Sequence, residues 1–325
     1  MDEFELIRQY FTRTLTDADV RIGVGDDGAV LRPAAGRDLI TVVDTLMEGV
    51  HYPANLSARD IAWRAVAVNL SDIAAMAGRP RWMTLALTLK DADREWLEGF
   101  SAGLFAAANE HNVSLVGGDT TRGGQVVVSI QITGDADPDR ILTRSGANVG
   151  DRIYVSGTLG DAAAGLELLQ AGTVSSDAAK KLVERFCRPS ARVSLAQAIV
   201  PLASAAIDVS DGLYADTFKL LQASGAGGRI EVDALPVSAA LQAEFDPERA
   251  RQFVLGGGDD YELCFTLPAA KEFELSEIAL QQKVSLTCIG TVTEGGGLAC
   301  TENGAPVEYR DSGYLHFDEA GKPGV

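Results

Sequence analysis

Ile61-Ala62-Trp63-Arg64-Ala65-Val66-Ala67-Val68-Asn69-Leu70-Ser71-Asp72-Ile73-Ala74-Ala75-Met76-Ala77 is the stretch from which the rest of the chain can be read. Arg64 and Asp72 are its only charges. Ser57, with Asp60 three residues on, supplies a capping-box start, so the spacing predicts a helix from there to about Ala77. A helix this apolar is largely buried. A buried carboxylate without a partner is costly. Asp72 therefore closes a structural ion pair, marks the helix end, or holds a metal. Asn69 and Asp72 share a face at i, i+3, which favours the metal.

Aspartates elsewhere sit beside glycines: Gly25-Asp26-Asp27-Gly28, Gly117-Gly118-Asp119-Thr120, Asp208-Val209-Ser210-Asp211-Gly212 and Gly257-Gly258-Asp259-Asp260, with Asp44-Thr45 and Ser71-Asp72 between them. Glycine lets backbone turn sharply or approach a ligand closely, and aspartate is a hard oxygen ligand suited to magnesium. The clusters are scattered along the chain, so only a fold could unite them. A local calcium-binding loop, the non-catalytic alternative, would keep its ligands within a dozen residues.

The chain has 325 residues, enough for two domains of ordinary size. Its 46 acidic and 28 basic residues give a net charge of −18, which disfavours nucleic acid or an anionic membrane as the main partner. Four cysteines without a CxxC pair read as reduced, buried residues. The acidic start, Met1-Asp2-Glu3-Phe4-Glu5, lacks the basic segment of a signal peptide. No apolar run approaches the roughly 18 residues of a membrane span. The expectation is a soluble, cytoplasmic protein.

Helical spacing of Phe4, Ile7, Tyr10 and Phe11 predicts an amphipathic helix at the start. Strands are expected around 28–31, 39–44, 82–89 and 126–133, with a helix over 93–111. Asp135-Ala136-Asp137-Pro138-Asp139 is a polar break that divides the chain into domains 1–137 and 138–325. The second half predicts strands at 152–156, 205–209, 229–232, 262–266 and 286–292. Helices are expected at 161–170, 176–186, 191–202, 213–223 and 269–282. The class is α/β or α+β with a mixed sheet.

Gly23-Val24-Gly25-Asp26-Asp27-Gly28 spells a dinucleotide fingerprint, but Ala29-Val30-Leu31-Arg32-Pro33 follows it as a strand, not as the helix that motif requires. A metal-bearing loop or an acidic surface turn remains. Gly117–Thr120 is a tight turn or a phosphate-facing loop with Asp119 on a bridging metal. Ser210 and Asp211 stand at a strand-to-helix junction, as helix caps or as ligand contacts. His51 follows Asp44 closely and can line the same site. No P-loop, kinase signature or nucleophilic triad is present.

These residues, with Val43-Asp44-Thr45-Leu46, Leu142-Thr143-Arg144-Ser145-Gly146-Ala147 and Gly257-Gly258-Asp259-Asp260-Tyr261-Glu262-Leu263, resemble the thiamine-monophosphate kinase family, in the superfamily of aminoimidazole ribonucleotide synthetase. The motifs run nearly the whole chain in the family's order. One departure is Asp259, where the family usually has glutamate. The resemblance implies a two-domain fold, with an N-terminal ATP- and metal-binding α/β domain whose sheet joins that of a second subunit in a homodimer. It implies ATP-dependent phosphorylation of thiamine monophosphate to thiamine diphosphate, the last step in making that cofactor. Asp27, Val43, Asp44, Asp72, Asp119, Asp208 and Asp211 would hold several Mg2+ ions. Gly118, Asp119, Arg144 and Ser210 would contact ATP, and His51, Asp259 and Tyr314 the thiamine phosphate. No general base is expected. A selenophosphate synthetase, the rival within the superfamily, would show a reactive cysteine near the amino terminus; here all four follow residue 186.

Overall fold

The computed structural model describes residues 2–14, 16–309 and 313. The chain divides into two compact units, residues 1–73 with 78–139, and residues 74–77 with 140–325.

The first unit opens with α1 (Glu3–Leu6), which continues as a π-helical turn over Ile7–Phe11 and buries Leu6, Tyr10 and Phe11. A short antiparallel pair follows, β1 (Val20–Ile22) and β2 (Val30–Leu31). Then come β3 (Asp38–Met47), α2 (Ala58–Ala75), β4 (Arg79–Leu89), α3 (Arg94–Glu110), β5 (Ser114–Arg122) and β6 (Val127–Ala136). The expected capping box starts α2: Ser57 Oγ donates to Asp60 Oδ2 at 2.6 Å and accepts the Asp60 N–H at 3.1 Å.

β3 to β6 form one sheet in the order β3-β6-β4-β5, with only β4 and β5 parallel. Alternate residues of a strand face opposite sides. Ile40, Leu46, Leu85, Leu87, Val128 and Ile130 are buried on one face. The other carries Val43, 64% exposed, and Leu39, 51% exposed, among hydroxyl pairs such as Thr45–Ser129 at 2.7 Å and Thr41–Thr133 at 3.3 Å.

The second unit contains β7 (Arg152–Ser156), α4 (Asp161–Ala171), α5 (Asp177–Cys187), α6 (Val193–Ile199), β8 (Ala205–Asp208), α7 (Leu213–Ala223) and β9 (Gly227–Glu231). α8 (Ala239–Glu244), α9 (Pro247–Gly256), β10 (Leu263–Leu267), α10 (Leu275–Gln282), β11 (Leu286–Thr293), β12 (Leu298–Glu302) and β13 (Ala305–Val307) complete it. Its seven strands run β13-β12-β9-β11-β7-β10-β8, with β12–β9 the parallel pair. Every residue of β8 and β10 is buried, because successive side chains enter two different cores. Ala205, Ile207 and Cys264 join Leu168 of α4, Leu220 of α7 and Phe253 of α9. Ala206, Leu263, Phe265 and Leu267 join Ile199 of α6 and Leu275 of α10. A strand buried on both faces loses the apolar–polar alternation of a half-exposed one.

The mixed α/β class expected from the sequence is the one observed. The differences are local. α6 is shorter than 191–202, and 269–282 divides into a 3-10 turn (Ala269–Glu274) before α10. β1, β5, α8, α9, β12 and β13 were not expected. α9 starts on an Asp246 cap with Pro247 at its first turn, a local signal present in the sequence.

Asp135, 0% exposed, ties the first unit together, accepting from Arg37 Nε at 3.1 Å, Arg79 Nη2 at 2.8 Å and Arg81 Nη1 at 3.0 Å. Burial pushes its carboxyl up, but Arg79, Arg81 and Arg37 outweigh that and hold it below the ordinary carboxylate value. Its stabilisation is complete above about pH 4 and is lost as pH falls through the depressed folded value. Asp135→Asn leaves guanidinium groups without their shared anion and is expected to destabilise the unit by about 3 kcal/mol. Urea denaturation followed by tryptophan fluorescence measures this; an unchanged midpoint would remove the cluster from the unit's stability.

Candidate functional site

In the first unit Asp27 lies at the tip of the β1–β2 pair, exposed, its N–H bonded to Asp26 Oδ1 at 2.8 Å. A strand follows it, so the helix that a dinucleotide fingerprint needs is absent at this position. Val43 and Asp44 are adjacent on β3; Val43 points to the open face and Asp44 is half-buried. Asp72 is half-buried on the last turn of α2, next to the fully buried Asn69 and Ser71. Asn69 Nδ2 donates to the Ala65 carbonyl at 2.9 Å, while its buried Oδ1 has no hydrogen-bond partner among the described residues. A buried acceptor of this kind is costly unless something donates to it or coordinates it.

Gly117-Gly118-Asp119 is not a turn. It lies inside β5, just after a bulge at which Met83 faces Leu115 but Thr84 faces Gly117. A Cβ on Gly118 would stand 2.0 Å from the Leu85 carbonyl oxygen, so glycine is required for β4 to approach here. The register aligns Asp44, Ile130, Leu85 and Gly118 in one cross-strand row, and Thr45, Ser129, Ala86 and Asp119 in the next. Asp44 and Asp119 thus sit on opposite edge strands, three strand spacings or about 14 Å apart. That exceeds what one ion could bridge directly, with oxygen ligands at about 2.1 Å.

His51 lies in the turn after β3, where its Nδ1 accepts the Met47 N–H at 3.0 Å. That bond leaves Nε2 as the protonated nitrogen of the neutral ring, a donor suited to a phosphate oxygen.

The second unit joins two motifs that are 50 residues apart in sequence. The Asp259 N–H donates to the Ser210 carbonyl at 2.9 Å, the Tyr261 N–H to the Val209 carbonyl at 2.8 Å, and the Val209 N–H to the Glu262 carbonyl at 2.8 Å. A Cβ on Gly258 would stand 2.4 Å from the Ser210 oxygen, so only glycine lets the two turns zip together. Asp208, 4% exposed, ends β8; Ser210 and Asp211 follow before α7, and Asp259 lies alongside. Gly313 rests against Asp211 and Ala215. Tyr314 lies outside the described residues. The Ala206 N–H donates to the Thr143 carbonyl at 2.9 Å, which sets the Arg144 backbone beside β8, four residues or about 13 Å of strand from Ser210.

Two neighbours were missed. Asp216, 1% exposed, accepts the N–H groups of Ser210 and Asp211, each at 2.9 Å, and so shapes that turn. Lys219 Nζ bridges Asp211 Oδ2 at 2.5 Å and Asp216 Oδ1 at 2.8 Å. Burial would lower the Lys219 ammonium pKa, but the two carboxylates hold it above its ordinary value. Asp216 is a lone charge in an apolar first turn, the same signal that marked Asp72.

The donor set fits divalent cations. Its oxygens are hard carboxylates, and a lysine ammonium already stands where Asp211 would meet a cation. Among the described residues no three acidic, histidine or cysteine side chains converge tightly enough to cage an ion. Magnesium is ordinarily held by one or two carboxylates together with substrate phosphates.

Residues 25–136 match the AIR synthase related protein N-terminal domain, and residues 148–302 its C-terminal domain. The chain is 45% identical over 319 residues to the thiamine-monophosphate kinase of Escherichia coli (strain K12), covering 97% of this chain and 98% of that one. The crystal structure of thiamine-monophosphate kinase from Stenotrophomonas maltophilia K279a superposes with a TM-score of 0.88 at 42% identity, over 94% of this chain and 98% of that one. AaThiL complexed with AMPPCP and TMP is similar at a TM-score of 0.79 and 33% identity, over 88% and 89% of the two chains.

Asp216→Ala would leave the Ser210 and Asp211 N–H groups without their acceptor, a cost of about 1–3 kcal/mol. Thermal denaturation should show the loss, and a melting temperature equal to the parent's would show that this carboxylate does not hold the turn.

Proposed function

The chain belongs to the AIR synthase related family and, within it, to the thiamine-monophosphate kinases, and from that premise we propose that it transfers the terminal phosphoryl group of ATP to thiamine monophosphate. The products are ADP and thiamine diphosphate, so the reaction completes that cofactor. The full-length likeness to thiamine-monophosphate kinases, one of them solved with an ATP analogue and TMP, carries this reading.

The acceptor's phosphate has a second pKa near 6, so near neutral pH it is already largely a dianion and needs no general base. One of its oxygens attacks the γ-phosphorus in line as the bond to the β–γ bridging oxygen breaks, and ADP leaves with those electrons. The obstacle is repulsion between two polyanions. Magnesium ions held by Asp27, the Val43 carbonyl, Asp44, Asp72, Asp119, Asp208 and Asp211 would neutralise that repulsion when bound. The residues themselves position: Gly118 presents bare backbone, Ser210 sits on a turn shaped by Asp216, and Arg144 adds a cation for ATP. The His51 Nε2 donor and Asp259 face the thiamine phosphate, with Tyr314 as the aromatic contact. The domain spanning 1–137 is assigned to ATP and metals.

We assign a homodimer formed through the first unit's sheet. Its face bearing Val43 stands open, and its edge strands carry Asp44 and Asp119 separately. No helix among the described residues is long and apolar enough to cross a membrane, and a cytoplasmic location suits the cysteines.

Purified protein with ATP, magnesium and thiamine monophosphate is expected to release ADP and thiamine diphosphate, and to stop when EDTA removes the metal. Product no greater than in an enzyme-free control would sink the assignment. Asp72→Asn and Asp119→Asn should each cut turnover at least about 100-fold, equivalent to about 2.7 kcal/mol, with circular dichroism unchanged. Near-normal turnover would take those residues out of the metal set. Asp259→Glu should be tolerated, whereas a large rise in KM for thiamine monophosphate would contradict its alignment with the family's glutamate.

A further inference from the structure

We propose that Asp260 is a positioning residue for the substrate contact, a buried carboxyl group that holds the Asp259-Asp260-Tyr261 turn in shape by binding the start of α4. The inference rests on the kinase reading and extends it to what keeps Asp259 in place. Asp259 and Tyr261 have φ of +69° and +52°. Left-handed backbone at a non-glycine residue is uncommon, and at an aromatic one it persists only where surrounding bonds impose it. Here the same three-residue turn adopts it twice.

The bonds that impose it are visible. Asp260 is 1% exposed; its Oδ2 accepts the Gly160 N–H at 2.6 Å and its Oδ1 the Ala162 N–H at 3.3 Å. α4 has no capping side chain of its own, since its cap residue is Gly160 with φ +81°. Asp260 fills that role from 100 residues away. Arg185 Nη2 reaches the Asp260 carbonyl at 3.3 Å and Glu262 Oε1 at 2.9 Å, fixing the next peptide. On the other side the turn is zipped to Val209 and Ser210. Asp260 faces inward while Asp259 is half-buried, its Oδ1 accepting the Tyr261 hydroxyl at 2.9 Å. If the inward bonds are lost, the turn can relax toward ordinary φ, and Asp259 moves with it.

A purely structural cap would affect stability and leave substrate affinity alone. The positioning role predicts a split between the two substrates. In Asp260→Ala, KM for thiamine monophosphate should rise about tenfold or more, equivalent to about 1.4 kcal/mol, while KM for ATP stays within about twofold. Asp260→Asn, which keeps one acceptor oxygen for Gly160, should fall between that variant and the parent, and it carries the test if the alanine variant does not fold. An unchanged KM for thiamine monophosphate in folded variant protein, or a parallel rise for both substrates, would overturn the proposal. If the parent itself makes no ADP with thiamine monophosphate, the kinase reading falls and amide hydrogen exchange of Asp260→Asn decides the anchor. Joint loss of protection at 158–164 and 257–262 supports it, and loss at one segment alone refutes it.

Discussion

Glu262 is the anion beneath the second unit's candidate site, and the two glycine-rich turns depend on its burial. It is 0% exposed and is satisfied by Arg192, through Nε at 2.6 Å and Nη2 at 2.5 Å, by Arg185 at 2.9 Å and by the Ser156 hydroxyl at 2.5 Å. A buried charge is tolerable only when paired and hydrogen-bonded to this extent. Its backbone carbonyl binds Val209, so the clamp fixes the strand end from which both Asp208–Asp211 and Asp259 project. Gly157 shows how tightly the clamp is packed, because a Cβ there would stand 2.3 Å from Glu262 Oε1.

The chemistry asks an acidic protein to bind two polyanions. Carboxylates held close without cations repel each other, and the structure manages this by separation and by local pairing. Asp44 and Asp119 occupy opposite edges of one sheet. Asp211 leans on Lys219, and Asp216 binds backbone N–H groups. Asp135 shows the contrasting use of an acid, for three arginines on that single carboxylate make a structural knot rather than a ligand site, although it too follows a glycine, Gly134. Asp216 and Asp260 lie between these extremes: Asp216 binds backbone N–H groups of the Ser210–Asp211 turn, and Asp260, itself part of the Asp259 turn, binds those at the start of α4.

The elements of the first unit with strong periodicity were legible: the capping box of α2, β3, β4 and α3 follow from local pattern. β5 was not, because glycine-glycine-aspartate reads as a turn, and only its parallel pairing with β4 across a bulge makes it a strand. Likewise α8 is only six residues long and buries a single residue, Leu241, and β12 with β13 are short strands whose pairing is decided by β9. In the candidate site, glycine beside aspartate was visible in the sequence. Asp216 showed only as a lone charge in an apolar first turn, and Lys219, Arg185 and Arg192 did not show at all, because a charged residue on or beside a helix is ordinarily solvated and nothing local reveals what it meets.

The sequence by itself determined the kind of chemistry: hard oxygen ligands on glycine-punctuated turns, no nucleophile, no phosphate-binding lysine loop, and a family order of motifs along the chain. Tertiary structure decided which of those aspartates meet. It set Asp259 against Ser210 through main-chain bonds, placed Asp44 and Asp119 on opposite edges, and turned Asp260 away from its neighbour into the start of α4. The reason is physical. Residue type and spacing govern what a side chain can bind, whereas strand order, register and backbone hand, which depend on contacts far apart in the chain, govern what it reaches.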